Sequence, residues 1–416
     1  MDNGLTFDGA VHYPIVAPAS VQELIELVRQ TRSTNQALYP FGGKTMLDLG
    51  LIPSKPGTAV DMRSLNRIID YPSRDMTITI QAGITIQRLK EILLAEKQRL
   101  AVDVPFAEQA TVGGAVAANA SGPRRFGLGT LRDYIIGISL VNDEGFEVKA
   151  GGRVVKNVAG YDLMKLYTGA LGTLGIVTQL TLKLKPLPES SRLLVLPVAF
   201  DNASAILEPL FASQTRPVCI DLLDPGASKA VAGNSGCDLF SKGWNLVLGY
   251  EDNFKAVTWQ VERLKREIPS EARSSLQECS DSEAEKLWKS LSDFALFPAC
   301  EFSFKANLLP SAALDFCRQA AACDEAPILQ AHAGNGIVNG HCKDLALEQA
   351  LSMLNKLGAI AATAKGNLIV TRCPAGWKAV LPVWGRTTDD RAMMKIVKQK
   401  LDPAGVFNPR RFVDGI

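Results

Sequence analysis

The run Thr111-Val112-Gly113-Gly114-Ala115-Val116-Ala117-Ala118-Asn119-Ala120-Ser121-Gly122 decides the fold. It is built almost wholly from small residues, so its backbone can come very close to something flat or charged. Glycine has no Cβ, tolerates positive φ, and lets N–H groups close directly on phosphate oxygens. Standing alone, the run also has a plainer reading, the less favoured one, as a tightly packed helix. Its weight comes from company. Pro40-Phe41-Gly42-Gly43-Lys44-Thr45 lies about seventy residues upstream, and Gly169-Ala170-Leu171-Gly172-Thr173-Leu174-Gly175 follows downstream and runs into a β-rich segment. Three glycine clusters on one α/β framework imply a long, phosphate-containing ligand held at several points.

Two common nucleotide motifs are disfavoured. Gly43-Lys44-Thr45 could end a Walker A loop, but that motif needs glycine at position 38, where Leu38 stands. No Gly-x-Gly-x-x-Gly follows a strand, which disfavours a conventional NAD-binding unit. Arg124, Arg125, Gly127 and Gly129 add cations and a flexible turn beside the supposed pyrophosphate, though paired arginines are as often solvated surface. We read the cofactor as FAD.

The chain has 416 residues, too many for one comfortable core, so two domains are expected. With 47% hydrophobic and 21% charged residues it should fold, and a net charge of +2 gives no reason to expect nucleic acid. No stretch reaches the roughly 20 apolar residues of a membrane span, and Met1-Asp2-Asn3-Gly4 lacks a signal peptide's basic and apolar regions. A cytoplasmic location is expected. All eight cysteines lie beyond position 218 without a Cys-x-x-Cys pair, so reduced thiols are expected and no usual iron–sulfur ligand spacing exists.

Period and capping signals outline the elements. Ser20-Val21-Gln22-Glu23 opens a helix with Val21, Leu24, Ile25 and Val28 on one face. Thr85 caps another carrying Ile86, Leu89, Ile92 and Leu93. Strands are expected at 38–41, 76–80, 101–104, 134–141, 146–149 and 175–185. Pro186-Leu187-Pro188 marks a boundary. Beyond it an approximate βαβ-βαβ rhythm predicts a sheet covered by helices on one side. A last helix near 389–401 leads into Asp402-Pro403-Ala404-Gly405-Val406-Phe407-Asn408-Pro409, a terminal turn.

At this point the residues carry a family resemblance. The region from Pro40 through Pro186 resembles the FAD-binding domain of the vanillyl-alcohol oxidase and para-cresol methylhydroxylase (PCMH-type) family, nearest to the FAD-binding subunits of bacterial glycolate oxidases. The carrying segments are Thr111-Val112-Gly113-Gly114, Gly122-Pro123-Arg124-Arg125, Arg132-Asp133-Tyr134, Val155-Lys156-Asn157-Val158-Ala159-Gly160-Tyr161-Asp162 and Leu171-Gly172-Thr173-Leu174-Gly175-Ile176-Val177-Thr178. Asp402-Pro403 and Phe407-Asn408-Pro409 extend the likeness to the end of the chain; residues from about 190 to 385 match in rhythm more than in motif.

The resemblance implies an α+β protein: a two-subdomain FAD domain at 1–188, a ferredoxin-like cap or substrate domain at 189–385, and a C-terminal segment at 386–416 returning to the FAD domain. It implies that Pro40, Phe41, Gly42, Gly43, Lys44, Thr45 and Met46 wrap the pyrophosphate. Thr111, Val112, Gly113, Gly114, Ala117, Ala118, Asn119 and Gly122 would line the diphosphate and the flavin's inner edge. Gly175, Ile176 and Val177 would touch the cofactor, Pro105 would shape the floor near the ring, and Asn408 would bond from the returning C-terminus. The first loop has no histidine or cysteine, and His12 is distant in sequence, so noncovalent FAD is expected.

Relatives that oxidise 2-hydroxy acids carry His-x-Gly-Asp-Gly-Asn-x-His. Here His332-Ala333-Gly334-Asn335-Gly336-Ile337-Val338-Asn339 keeps the first histidine and both glycines but replaces the aspartate and second histidine. No metal is expected. His332 is a candidate general base, or equally a hydrogen-bonded strand-end histidine in a domain interface. Arg372 and Arg386 are carboxylate-binding candidates that spacing does not separate. The implied function is an FAD-linked oxidoreductase subunit acting on the CH–OH group of glycolate or another 2-hydroxy acid. Its implied partners are a second flavin subunit and an iron–sulfur subunit, through which it would sit peripherally at the inner membrane. The alternatives are a flavin-binding scaffold without its own oxidation chemistry, or a free-standing FAD-linked alcohol oxidase.

Overall fold

A computed structural model describes residues 4–7, 11–53, 55–152, 161–297 and 299–416. Residues 1–3 of the chain start and residues 155–160 of the fourth resemblance segment lie outside the described residues. The chain divides into two compact units: residues 1–120, 130–187 and 374–416 form the first, and residues 121–129 and 188–373 the second.

The first unit opens with β1 (Gly4–Phe7), β2 (Val11–Val16), β3 (Ala37–Phe41) and β4 (Gly57–Asp61), a sheet ordered β1-β2-β4-β3. Next come β5 (Ile68–Asp70), β6 (Thr77–Gln81), β7 (Gln98–Arg99), β8 (Ile135–Val141), β9 (Glu147–Gly151), β10 (Ile176–Lys183) and β11 (Lys185–Pro186). Five of them form an antiparallel sheet ordered β5-β6-β10-β8-β9, while β7 and β11 pair as a short ribbon.

The helix Val21–Ser33 starts where Ser20 Oγ accepts from Glu23 N, and it buries Leu24, Val28 and Thr31, one face at i, i+4 and i+7. That face meets Leu38, Val60, Val141, Ile176, Val406 and Phe407, so the core of this unit joins both sheets to the end of the chain.

The C-terminal return is bound along its length. Leu38 N donates to Val406 O and Asn408 N to Leu38 O, which makes the returning segment a parallel neighbour of β3. Lys55 Nζ donates to Ala404 O and Gly405 O, and the Arg411 guanidinium to the carbonyls of Leu47, Leu49 and Leu51.

The second unit is an eight-stranded antiparallel sheet made of β12 (Ser190–Val198), β13 (Cys219–Leu223), β14 (Trp244–Asp252), β15 (Gln277–Glu278), β16 (Phe302–Asn307), β17 (Ile328–His332), β18 (Ile337–Cys342) and β19 (Asn367–Arg372). Its order is β15-β12-β14-β13-β17-β18-β16-β19.

Three expectations are corrected here. The sheet is covered on both faces, not one. Leu193, Val195, Cys219, Leu223 and Val247 pack with Ala227, Val231, Ala284, Leu287 and Leu291 of the helices Pro225–Ser235 and Asp281–Asp293. Their alternates Leu194, Leu196, Ile220, Leu222, Leu246 and Leu248 are as deeply buried, which alternation permits only if the opposite face is also covered. Residues 101–104 are buried but form no strand: Val102 N turns back to Leu100 O, and Pro105 cannot donate to a ladder. The boundaries also move. Residues 121–129 join the second unit, where Gly127 N donates to Val218 O. Residues 374–385 join the first, where Lys378 Nζ donates to Asp48 O and Trp384 packs on Phe412.

Candidate functional site

The three glycine turns converge within the first unit. β3 ends at Phe41, and the chain passes through Gly42 and Gly43 to Lys44 at φ 61°. A Cβ on Gly42 would overlap Thr111 Oγ1, and one on Gly43 would overlap Gln109 O. Only glycine lets the first and second turns approach this closely. The third turn, with Gly169, Leu171 and Gly172 all at positive φ, is bound to the helix Val112–Ala117 by Gly169 N to Val116 O and Leu171 N to Ala117 O. Asn408 Nδ2 closes the ring by donating to Leu171 O at 2.7 Å.

The turns differ in what they offer. Among the described residues, the amide N–H groups of Gly42, Gly43, Lys44, Thr45 and Met46 donate to no acceptor in the chain. The second turn's donors are occupied: Val112 N on Ile84 O, Gly113 N on Ala82 O, and Gly114 N on Thr111 Oγ1. The first turn is therefore an anion-binding run of amides, and the second a smooth wall permitting close approach.

Two hollows share Pro40, Phe41, Gly42, Thr111, Gly114, Ala117 and Leu171 as a common wall and so make one elongated cleft. Gly43, Lys44, Thr45, Met46, Ala118 and Asn408 line one end, and Gly113, Gly175, Ile176 and Val177 the other. Pro105 and Val112 are buried away from both hollows, and Gly122 belongs to the second unit. Asn119 lies off the lining at φ 49°, beside Gly169, with its Oδ1 buried and unpartnered among the described residues.

Sequence reasoning missed Phe7, Met62, Tyr167 and Arg411 in the lining. Arg411 follows Asn408-Pro409, and a basic residue at that spacing was the available signal. Lys44 and Arg411 give the cleft two cations, and five free amides complete the donor set that a diphosphate requires.

Arg124 does not serve as a free cation. Its Nε donates to Glu251 at 2.7 Å, and its guanidinium lies 3.7 Å over the Trp288 ring, both within the second unit.

In that unit His332 ends β17, opposite Asp221 of β13. Its Nδ1 is 2.7 Å from Asp221 Oδ1. An ionised carboxylate only accepts, so Nδ1 carries the proton. The other Asp221 oxygen accepts from Gln330 Nε2 at 3.0 Å, and His332 Nε2 faces Asn339 Nδ2 at 3.5 Å. Asp221, which no motif marks, is thus the group that orients this histidine.

His341 shares the face two residues along β18 but has other partners. Its Nδ1 meets Ser303 Oγ at 2.8 Å, and the Phe294 and Phe297 rings flank it. Burial pushes its pKa down to about 3. Arg372 Nη1 donates to Phe297 O, and Arg386 lies in the first unit. Among the described residues no group of three or more His, Cys, Asp or Glu side chains could hold a metal ion, and no helix is long and apolar enough to cross a membrane.

Residues 14–151 match the model of the FAD binding domain, so this is a flavin-dinucleotide-binding chain. The glycolate oxidase subunit GlcD of Bacillus subtilis is 30% identical over 50% of this chain and 45% of its own length. Glycolate oxidase subunit GlcE of Escherichia coli is 34% identical over 41% and 48%, and a D-lactate dehydrogenase of Anaerostipes hadrus 32% identical over 50% and 44%. The chain thus spans about half the length of these curated relatives. Among solved structures, an alkyldihydroxyacetonephosphate synthase superposes with a TM-score of 0.68 at 20% identity, covering 97% of this chain and 78% of that one. That likeness shows the shared fold.

Proposed function

We propose that this chain is an FAD-dependent oxidoreductase that oxidises a small 2-hydroxy acid such as glycolate or D-lactate as one subunit of a larger assembly. The observation that carries the reading is the cleft of three glycine turns with five unpartnered amides and two cations. The relatives' names, a glycolate oxidase subunit and a D-lactate dehydrogenase, supply the substrate class.

FAD, when bound, supplies the capacity to accept two electrons from a C–H bond beside a hydroxyl. The chain's own groups bind and orient. Residues 42–46 donate amides to phosphate oxygens, Lys44 and Arg411 neutralise charge, and the 175–177 segment supplies apolar contact. Among the described residues the cleft lining holds no histidine or cysteine, and the proposed binding is noncovalent. His332, held in one tautomer by Asp221, is the candidate to take the hydroxyl proton. Electrons would leave through an iron–sulfur partner, with a second flavin subunit in the assembly. The proposed location is cytoplasmic, with contact to the inner membrane through those partners.

A second reading is a flavin-binding scaffold without its own oxidation chemistry. It is favoured by one observation: His332 Nε2 faces the Asn339 amide, not an open space. Anaerobic addition of glycolate or D-lactate to the purified, FAD-loaded chain tests the two. Bleaching of the flavin bands that is lost in His332→Ala supports the oxidoreductase. Persistence of the bands with both acids, and their bleaching only after the partner subunits are added, supports the scaffold.

A further inference from the structure

All eight cysteines lie in the second unit, and among the described residues none is in a disulfide. Two of them face each other. Cys237 Sγ and Cys279 Sγ are 4.0 Å apart, although 42 positions separate them in the chain. Cys237 directly follows Gly236, whose left-handed backbone (φ 69°) ends the helix Pro225–Ser235, and it begins the irregular stretch 237–243 that leads to β14. Cys279 lies between β15 and Ser280, the cap of the helix Asp281–Asp293. These helices pack together: Ser290 Oγ donates to Val231 O at 3.0 Å, and Ala284, Leu287 and Leu291 share an apolar cluster with Ala227 and Val231. The thiols thus meet where one helix ends and the other begins.

Both side chains belong to that cluster, where a buried cysteine commonly acts as a small apolar residue. Packing alone does not require sulfur on both sides of the contact. Each thiol is also buried just beneath the surface. Gly236 and Asp238 flank Cys237, Glu278 and Ser280 flank Cys279, and all four are exposed. Closing the pair to a disulfide brings the sulfurs together by about 2 Å. Cys279 N is held by Leu193 O at 2.9 Å, whereas Cys237 N meets Ser235 Oγ at 3.3 Å, so the 237–243 stretch is the side that moves.

We propose that Cys237 and Cys279 form an oxidation site, at which hydrogen peroxide or a similarly small hydroperoxide converts the thiol pair to a disulfide that ties the two helices together. One thiolate sulfur attacks a peroxide oxygen; the O–O bond breaks, a sulfenic acid forms and one water leaves. The second thiol attacks that sulfenic sulfur; its S–O bond breaks, the S–S bond forms and a second water leaves. The two thiols together give up two electrons and two protons, and the peroxide is reduced to water. Burial holds the Cys237 thiol above its usual range, with the Cys279 contact the main opposing influence, so the first step is slow at neutral pH. Closing so long a loop constrains the unfolded chain and should stabilise the oxidised form.

The test uses the full chain, reduced, freed of reductant and treated with hydrogen peroxide in native buffer. Remaining thiols are alkylated after denaturation, and the digest is read unreduced by mass spectrometry. The expected product is a Cys237–Cys279 linked peptide, lighter by about 2 Da than its two thiol peptides together and split by dithiothreitol. The oxidised chain should unfold several degrees above the reduced chain, a gain absent from Cys237→Ala and from Cys279→Ala. Alkylation at both positions after peroxide, or separate sulfinic acids at the two, would overturn the site. A link that forms only in urea, or one from either residue to another cysteine, would overturn it equally. A linked chain that unfolds no higher than the reduced one would overturn the tie between the helices. The wild-type digest decides the assignment, so a variant that fails to fold leaves the test intact.

Discussion

At the scale of single residues, the cleft turns on positions where a side chain would fill space that the backbone leaves clear. Gly114 shows this cleanly. The nearest atom to a Cβ there is Thr111 Oγ1 at 3.0 Å, and nothing else lies within 4 Å. Gly114→Val should therefore fold, yet occupy the wall shared by both hollows, and lower FAD affinity by at least about tenfold, or 1.4 kcal/mol. Fluorescence titration of free FAD checks it, with thermal unfolding of the apoprotein as the control. Gly43→Ala behaves differently, because its methyl meets the Gln109 carbonyl and the first turn itself must shift.

His341 makes the second residue-scale prediction. Burial holds its folded pKa near 3, below the unfolded value of about 6.5, so the neutral ring is the form the fold accepts. Its contribution is fully present above about pH 6.5 and is lost as pH falls from there toward 3, at about 1.4 kcal/mol per pH unit. Urea unfolding at pH 7 and pH 5 should show wild type losing more stability than His341→Gln. Equal losses would mean that another group governs acid sensitivity.

At the scale of elements, the returning C-terminus acts as a strut for the cleft. Lys398 is buried and donates to Thr173 O at 2.7 Å, Phe407 O at 3.0 Å and Asp402 Oδ2 at 2.5 Å. Asp402 in turn accepts from Val406 N and Phe407 N. One ammonium thus ties the third glycine turn to the segment beside β3, whose end is the first. Lys398→Met leaves three acceptors short and a buried carboxylate unpaired, a loss of about 3–5 kcal/mol by analogy with other broken buried pairs. FAD should dissociate measurably faster from that variant, and Lys398→Arg should recover part of the difference. Unchanged dissociation would remove the strut from the account.

Much of this architecture is legible in the sequence because local chemistry and the fold agree. Ser20, Thr85 and Thr111 each cap the helix they precede, and Asp402-Pro403 does end the last helix. Two failures have physical causes. The helix Pro225–Ser235 has an Asp224 cap, proline in its first turn and left-handed Gly236 at its end, but its small, weakly periodic residues hide an apolar face. The strand expected at 101–104 is a buried apolar run, a pattern shared by strands and by packed irregular chain. The cleft was legible because glycine is named by the backbone it permits. Asp221 was not, because it acquires its role from His332, far away in sequence.

For the molecule as a whole, the two units carry different parts of the proposed chemistry. The first carries the dinucleotide cleft; the second carries the Asp221–His332 pair. The central claim is that the three glycine turns hold FAD noncovalently, and the most direct measurement is the visible spectrum of the purified chain. It is incubated with FAD, gel-filtered, and then recorded native and after denaturation with removal of small molecules. The native chain should show flavin bands at about one equivalent, displaced in shape from free FAD, and the denatured polypeptide should be colourless. A native chain without flavin would contradict the reading of all three turns, and a denatured chain that stays yellow would contradict noncovalent binding.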